Sequence, residues 1–105
     1  MYIPSKAKAT IKDLGANIRI ARKRRQWTIA ELASKMDVSS PTVISLEKGE
    51  PTVSLAVLVS ALWTLGLEKE LIQLSQPSDE QGIKLMNSRL PKKVKASKKK
   101  LSNDF

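Results

Sequence analysis

The chain has 105 residues and a mass of 11.6 kDa, which suffices for one compact domain and excludes a large multidomain enzyme. Its 19 Lys and Arg residues outnumber the 10 Asp and Glu residues, and the formal net charge of +9 points to a polyanionic partner such as a nucleic acid. The absence of Cys and His excludes disulfides, thiolate or imidazole metal sites, and catalytic groups that need a His base. The glycines are too scattered for a phosphate-binding loop and no carboxylate pair indicates acid–base catalysis, so we expect neither an enzyme nor a cofactor or metal ion.

The positive charge is concentrated at the two ends of the chain. Residues 1–25 have eight basic and one acidic residue (+7), residues 26–80 have three and eight (−5), and residues 81–105 have eight and one (+7). Six Lys between positions 91 and 100, with little apolar sequence around them, predict a flexible basic tail over residues 91–105. This tail could follow DNA phosphates, bind an acidic partner or keep the protein in solution. The N-terminus lacks the apolar segment of a secretory signal, so we expect a cytoplasmic, nucleoid-associated protein with no membrane partner.

The first predicted helix runs from about residue 11 to residue 25 and follows an N-terminal arm, residues 1–10. Apolar residues at helical spacing define its core face, which consists of Ile11, Leu14, Ile18 and Ala21. Roughly a third of a turn away is a basic stripe of Lys12, Arg19 and Lys23, with Arg22 at the rim of the apolar face. Arg19 and Lys23 are candidate phosphate contacts, although basic residues at a helix end often only complement the helix dipole and face solvent.

Two short helices joined by a tight turn at Asp37 are predicted next. Thr28 and Glu31 fit a capping box at the start of the second helix, whose core residues would be Leu32, Ala33 and Met36. Ser39 is the predicted N-cap of the third helix, which ends near Gly49. The third helix turns Val43 and Leu46 inward, and its outward face consists of Pro41, Ile44, Ser45 and Lys48. These outward side chains suit insertion into a DNA major groove about 12 Å wide.

The fourth predicted helix, residues 55–65, is capped by Ser54 and closed by Gly66, and a fifth runs from about residue 68 to residue 75. One apolar stripe of the fourth helix consists of Leu55, Leu58, Leu62 and Leu65, and a second consists of Val59 and Trp63. Because one core does not bury both stripes, the second stripe predicts an interface with another subunit or a partner. The alternative is that segment 78–90, which Gly82 and Asn87 leave undecided as a helix, folds back over Trp63.

Four motifs follow one another along the chain: Leu14-Gly15-Ala16-Asn17-Ile18-Arg19, Trp27-Thr28-Ile29-Ala30-Glu31-Leu32-Ala33, Val38-Ser39-Ser40-Pro41-Thr42-Val43 and Leu46-Glu47-Lys48-Gly49. In this order they are similar to those of the Cro and phage-repressor (XRE) family of helix-turn-helix proteins. The resemblance covers roughly residues 11–75 and implies an all-α, five-helix bundle that binds pseudo-palindromic operator DNA as a homodimer through its third helix. It divides the chain into an arm (1–10), a DNA-binding domain (11–76), an extension for dimer or partner contact (77–90) and the tail (91–105).

The resemblance also implies roles for single residues. Arg22 and Glu47 should form a buried structural ion pair. Nine residues of the second and third helices and their caps are implied to lie at the DNA, and the two basic residues of the first helix join them. They are Thr28, Ile29, Ser39, Ser40, Pro41, Thr42, Ile44, Ser45 and Lys48, with Arg19 and Lys23. The family usually has Gln at the position of Ile29 and Gly at the position of Asp37. An outward Ile44 fits a thymine methyl group, or it is an ordinary exposed apolar residue.

Three later motifs are Gly49-Glu50-Pro51-Thr52-Val53-Ser54-Leu55, Leu62-Trp63-Thr64-Leu65-Gly66-Leu67 and Leu90-Pro91-Lys92-Lys93-Val94. They bear a looser resemblance to HipB-type antitoxins. Such antitoxins repress their own operon and bind a HipA-like serine/threonine kinase toxin, so the resemblance implies a dimeric, autoregulating repressor with a toxin partner. The alternative is a stand-alone regulator with no toxin partner. A third class, a purely charge-driven nucleic-acid or membrane-surface protein, is disfavoured by the acidic middle of the chain.

Overall fold

The computed structural model describes residues 1–89, and all regular structure in that range is helical. The helices are α1 (Ser5–Arg24), α2 (Ile29–Met36), α3 (Ser40–Lys48), α4 (Leu55–Thr64), α5 (Glu68–Leu74) and α6 (Glu80–Arg89). The all-α class is confirmed, with six helices in the described range instead of five, because the undecided segment forms α6. The predicted basic tail, residues 91–105, lies outside the described residues.

The described chain consists of two compact units. The first, Met1–Leu71, contains α1 to α4 and most of α5, and the second begins at Ile72 and contains the end of α5 and α6. In the second unit, Gly82 lies so close to the Pro77 side chain that a Cβ there would collide with it. None of the helices in residues 1–89 combines the length and the apolar composition that crossing a membrane requires.

Helix α1 begins earlier than its apolar pattern predicts, which corrects the boundary between arm and helix. It starts at Ser5 rather than near Ile11, so most of the predicted arm is helical. Two hydrogen bonds between residues four apart show this: the Lys8 N–H donates to the Pro4 carbonyl oxygen at 3.0 Å, and the Thr10 hydroxyl donates to the Lys6 carbonyl oxygen at 3.0 Å. The physical reason is local, since residues 5–10 contain two Lys and two Ala, which favour helix, but no large apolar side chain.

The core of the first unit is formed by side chains from α1 to α4 and the turn after α4. Its buried members are Ile18, Leu32, Ala33, Met36, Val43, Leu46, Ala61, Leu62 and Leu65. The inward-facing residues predicted on α2 and α3 are all in this set, which confirms the facing of both helices.

Side-chain caps fix the start of α2 and α3. The Thr28 hydroxyl accepts from the Glu31 N–H at 3.0 Å while a Glu31 carboxylate oxygen accepts from the Thr28 N–H at 2.7 Å, so the predicted capping box is confirmed. Ser39 caps α3 by accepting from the Thr42 N–H. Between the helices, Asp37 has a φ of 59°, the left-handed conformation that the tight turn requires and that glycine would adopt at lower cost.

Two glycines let α1 and α3 pack backbone against backbone. A Cβ at Gly15 would lie 2.5 Å from the carbonyl oxygen of Leu46 and 2.8 Å from that of Glu47. Gly49 ends α3 with a φ of +72°, and a Cβ there would lie 2.5 Å from the Cα of Lys12. The end of α3 is therefore held directly against α1 near Lys12.

The basic cluster at the end of α1 is partly structural. Arg25 donates to the carbonyl oxygen of Ala21 at 2.7 Å and to that of Leu65 at 2.5 Å, so it connects the ends of α1 and α4. The Trp27 ring packs against the core and has the Arg25 guanidinium 5.8 Å and the Lys35 ammonium 4.7 Å from its centroid. Trp27 therefore anchors the loop before α2 to the core.

Candidate nucleic-acid interface

The outward face of α3 contains the side chains that the sequence places there. Pro41, Ile44 and Lys48 are exposed, and Ser45 is half-buried. Two further predicted contact residues near the start of the helix, Ser40 and Thr42, are also half-buried. The helix thus presents a narrow outward surface of small, polar and aliphatic groups ending in one Lys.

The N-termini of α2 and α3 present backbone N–H groups next to exposed hydroxyl side chains. Thr28 and Ser39 are both exposed, and both act as caps. The Ser39 hydroxyl lies 2.9 Å from the Thr42 hydroxyl, so the two form a small polar cluster at the start of α3. Helix N-termini attract anions through their unpaired N–H groups and the helix dipole, which makes both ends suitable for phosphate contacts.

A buried ion pair fixes α3 against α1. The Arg22 Nε donates to Glu47 Oε2 at 2.6 Å and Nη2 donates to Oε1 at 3.0 Å, with both side chains largely buried. The Arg22 Nη1 also donates to the Trp27 carbonyl oxygen at 2.7 Å, so the same guanidinium holds the loop between α1 and α2. The structure therefore brings together the two residues that the family resemblance pairs.

The positive charge of Arg22 does not change with pH in the neutral range. The hydrogen bond with Glu47 raises the pKa of Arg22 above its ordinary, already high value, burial lowers it, and the Glu47 charge adds to the rise. A cation whose pKa rises on folding stabilises the fold at every pH below its unfolded-state pKa. The contribution of Arg22 is therefore constant around neutrality and is lost only in strong alkali.

Three helices meet at a cleft beside the outward face of α3. This surface cavity of about 260 Å³ is lined by Arg19 of α1, Ile29 of α2, and Ile44 and Lys48 of α3, together with the buried ion pair. Ile29 is half-buried, and Ile44 is 38% exposed. Two aliphatic side chains therefore share a cleft with two cations, an arrangement that suits an apolar base edge next to a phosphate.

The cleft continues along α1 as a basic surface. Arg19 also lines a second cavity of about 260 Å³ with Ala16, Ile20 and Lys23. Within residues 1–89 the one ion pair joins Arg22 to Glu47, so Arg19 and Lys23 have no carboxylate partner in that part of the chain. Both cations are exposed and available to a polyanion.

The comparison with known families identifies this arrangement. The family described as a helix-turn-helix domain matches residues 13–74, more than half of the chain and all of α2, α3 and α4. The chain belongs to the helix-turn-helix domain family. It is similar to the uncharacterized HTH-type transcriptional regulator y4mF of Sinorhizobium fredii (strain NBRC 101917 / NGR234), with 33% identity over 63 residues that cover 60% of this chain and 83% of the relative. No solved structure matches the chain significantly. Family and relative support DNA binding and transcription regulation.

On the helix-turn-helix domain, α4 exposes an apolar stripe. Val59 is 37% exposed and Trp63 69% exposed, so the second predicted stripe does face outward. Leu55 is 71% exposed, which corrects the expectation that it lies in the core stripe with Leu58, Leu62 and Leu65. Leu55 is the first residue of α4, where the helix has not yet reached the core, and it extends the exposed stripe by one turn.

Sequence reasoning missed one candidate site residue, Lys8, because it placed the start of α1 too late. With the helix beginning at Ser5, Lys8 lies one turn before Lys12 and on the same face. The high helix propensity of Lys and Ala in residues 5–10, directly after Pro4, is the signal that could have shown this.

Proposed function

We propose that this protein is a dimeric, sequence-specific DNA-binding repressor that reads a pseudo-palindromic operator. The observation that supports it best is the convergence of Arg19, Ile29, Ile44 and Lys48, from three helices, on one cleft beside the outward face of α3. In this proposal, α3 enters the major groove of each half-site, as the recognition helix of a helix-turn-helix does. A cytoplasmic location, with the DNA, belongs to the same proposal.

The proposed contacts separate into base readout and backbone positioning. Ser40, Pro41, Ile44 and Ser45 face base edges, where a hydroxyl serves as donor or acceptor and an aliphatic group meets a thymine methyl. Thr28, Ser39, Thr42, Arg19, Lys23 and Lys48 lie where phosphates pass, at helix N-termini or on cationic side chains. Glu47 adds no repulsion because Arg22 neutralises it in the buried pair.

The exposed stripe of α4 is the proposed dimer contact. No charged residue occurs between Pro51 and Leu67, so two copies can bring their α4 helices together without opposing like charges. This matters because the whole chain has a net charge of +9, and self-repulsion opposes association through other surfaces. Trp63, exposed and aromatic, is the natural centre of such a contact. The two α3 helices of a dimer would then read half-sites about 34 to 36 Å apart.

The test is to select bound sequences from random duplex DNA and compare affinities at one fixed salt concentration. We expect a selected palindrome to bind at least about a thousandfold more tightly than random duplex. The combined variant Ser40→Glu with Ile44→Glu should lose this preference while remaining folded, since both side chains lie on the outward side of α3. Equal affinity for palindrome and random duplex, or full affinity of the double variant, would show that the proposal is wrong.

A protein toxin partner is the second proposal, favoured by apolar surface in the second unit. There, Ile72, Leu74, Ile83 and Leu85 are 62%, 82%, 40% and 64% exposed. Residues 72–89 thus expose large apolar side chains other than those of the α4 stripe, which are available for contact with a protein such as a HipA-like kinase toxin. The protein would then be the antitoxin of that toxin and regulate their shared operon. Purification of the tagged protein from its native host, together with sequencing of the adjacent gene, tests this. If the gene stands alone and no kinase-like chain co-purifies, the toxin proposal is wrong and the protein is a stand-alone repressor.

A further inference from the structure

The exposed lysines at the start of α1 lie on the same helix face as the cations of the candidate interface. Taking 100° per residue, Lys8, Lys12, Arg19 and Lys23 fall within an arc of about 60° on one face of α1. All four are exposed. At a rise of about 1.5 Å per residue the row is about 22 Å long, and Lys8 and Lys12 account for the part that precedes the cleft. We call it the α1 basic row.

The row runs beside α3 rather than away from it. The backbone of Lys12 packs against Gly49, the residue that follows the end of α3, because only a glycine fits there. Two turns further along, Arg19 shares the cleft with Ile44 and Lys48 of α3. These two contacts place the row alongside the C-terminal half of the helix that faces outward.

Among the described residues, no carboxylate forms an ion pair with a cation of the row. The one ion pair in residues 1–89 uses Arg22, which lies about 40° from Lys8 towards the apolar face. Asp13, the one acidic residue of α1, lies about 110° from the centre of the row. A row of unpaired cations on a rigid helix is suited to a partner with regularly spaced negative charge, and a DNA strand has one phosphate per about 3.4 Å of axis.

We propose that Lys8 and Lys12 bind backbone phosphates outside the base pairs that α3 reads, so that the first two turns of α1 extend the footprint of each protomer. A helix in the major groove has a sugar–phosphate backbone on each side, and the cations beside the end of α3 face one of them. The inference rests on the proposed DNA-binding function but concerns different residues. It makes Lys8 and Lys12 determinants of affinity, with no influence on base preference.

The experiment compares Lys8→Ala, Lys12→Ala and Lys6→Ala in the full chain. Lys6 is the matched control, because it is exposed on the same two turns but lies about 130° from the centre of the row. Each variant removes one charge and keeps a strong helix former. Affinity is measured between 50 and 200 mM salt for the selected operator and for a random duplex of equal length.

We expect Lys8→Ala and Lys12→Ala each to reduce the slope of log affinity against log salt by about 0.9 per protomer, and Lys6→Ala to leave it unchanged. For each lost contact, the ratio of parent affinity to variant affinity should therefore fall about 3.5-fold between 50 and 200 mM salt. The loss should be equal for operator and random duplex. Removing about six base pairs beyond each half-site should weaken the parent protein but not the Lys8→Ala, Lys12→Ala double variant.

Two results would overturn the proposal. In one, the slopes of the row variants equal that of Lys6→Ala; in the other, shortening the flanks weakens the parent and the double variant equally. Failure of the repressor proposal looks different, since the parent would then bind operator and random duplex alike. The row variants would still differ from Lys6→Ala on random duplex in that case, and the phosphate contacts would stand.

Discussion

Helices α3 and α4 have the same local design and opposite outward faces. Each begins after a Ser N-cap, Ser39 or Ser54, and each is closed by a glycine with positive φ, at +72° for Gly49 and +77° for Gly66. Each also buries one side in the same core. The outward face of α3 ends in Lys48 and adjoins Arg19, whereas that of α4 exposes Trp63 and has no charge.

The difference teaches that the caps determine where these helices lie and the outward residues determine what they can bind. A polar helix face next to cations suits a hydrated polyanion, and an uncharged aromatic face suits another protein surface. If this separation holds, stability, association and DNA binding should respond to different substitutions.

Breaking the ion pair that holds α3 should have the largest effect. We expect Glu47→Ala to lower the free energy of unfolding by about 3 to 5 kcal/mol, because it leaves the Arg22 guanidinium buried without its partner. Urea denaturation followed by circular dichroism measures this. The matched variant, Arg22→Leu with Glu47→Leu, should recover part of the loss, since no buried charge remains. A loss below about 1 kcal/mol for Glu47→Ala would mean that the pair is solvated and does not anchor α3.

The exposed face of α4 should control association without controlling folding. We expect Trp63→Glu to weaken the dimer by at least about 2 kcal/mol, or about thirtyfold, because an interface centre loses its aromatic anchor and gains a charge. The monomer should keep its thermal stability, since Trp63 is 69% exposed. Sedimentation equilibrium measures the dissociation constant. Ile20→Glu, at a residue of α1 that is 56% exposed, is the control and should leave it unchanged. A parent protein that is monomeric at high micromolar concentration contradicts the prediction.

The two N-caps should have equal effects on stability and unequal effects on DNA binding. The Ser54 hydroxyl accepts from the Val57 N–H at 3.2 Å, and Ser39 makes the corresponding bond at 3.4 Å. Removing either hydroxyl by substitution with Ala should cost about 1 kcal/mol and lower the melting temperature by about 4 to 8 °C. Because only Ser39 lies at the start of the outward-facing α3, only Ser39→Ala should also weaken operator binding. Calorimetry and a binding titration on the same two variants decide this, and a weaker operator affinity for Ser54→Ala would count against the separation.

Sequence reasoning succeeded where the deciding interactions are local. The capping box of Thr28 and Glu31 and the turn at Asp37 depend on residues three or four apart, and their pattern is visible in the sequence. The cap at Ser39 and the facing of α3 follow in the same way.

Sequence reasoning failed where a residue's environment depends on distant parts of the chain, and where a helix has no periodic apolar residues. The first turns of α1 have no large apolar residue, so the apolar pattern does not predict a helix there or place Lys8 on it. Leu55 has the spacing of a core residue, but its position at the start of α4 exposes it. The reason for a glycine at position 15 is the backbone of α3, more than 30 residues away, and no local pattern reports that contact.

The smallest expected effect concerns the aliphatic pair in the cleft, Ile29 and Ile44. If Ile44 meets a thymine methyl, replacing that thymine by deoxyuridine removes about one buried carbon group and should weaken binding by about 0.8 kcal/mol, or about fourfold. Competition titrations with single thymine replacements across the selected operator would locate the position. The outward face of α3 would then have one identified base contact.

A variant comparison determines whether that effect belongs to the cleft. In Ile44→Ala the parent operator and its deoxyuridine form should bind equally, because the partner of the methyl group is gone. Lys48→Ala, on the same cleft, should instead weaken both forms equally and reduce the salt slope by about 1, as a phosphate contact does. If Ile44→Ala keeps the fourfold preference, then Ile44 is an ordinary exposed residue and another side chain contacts the thymine methyl group.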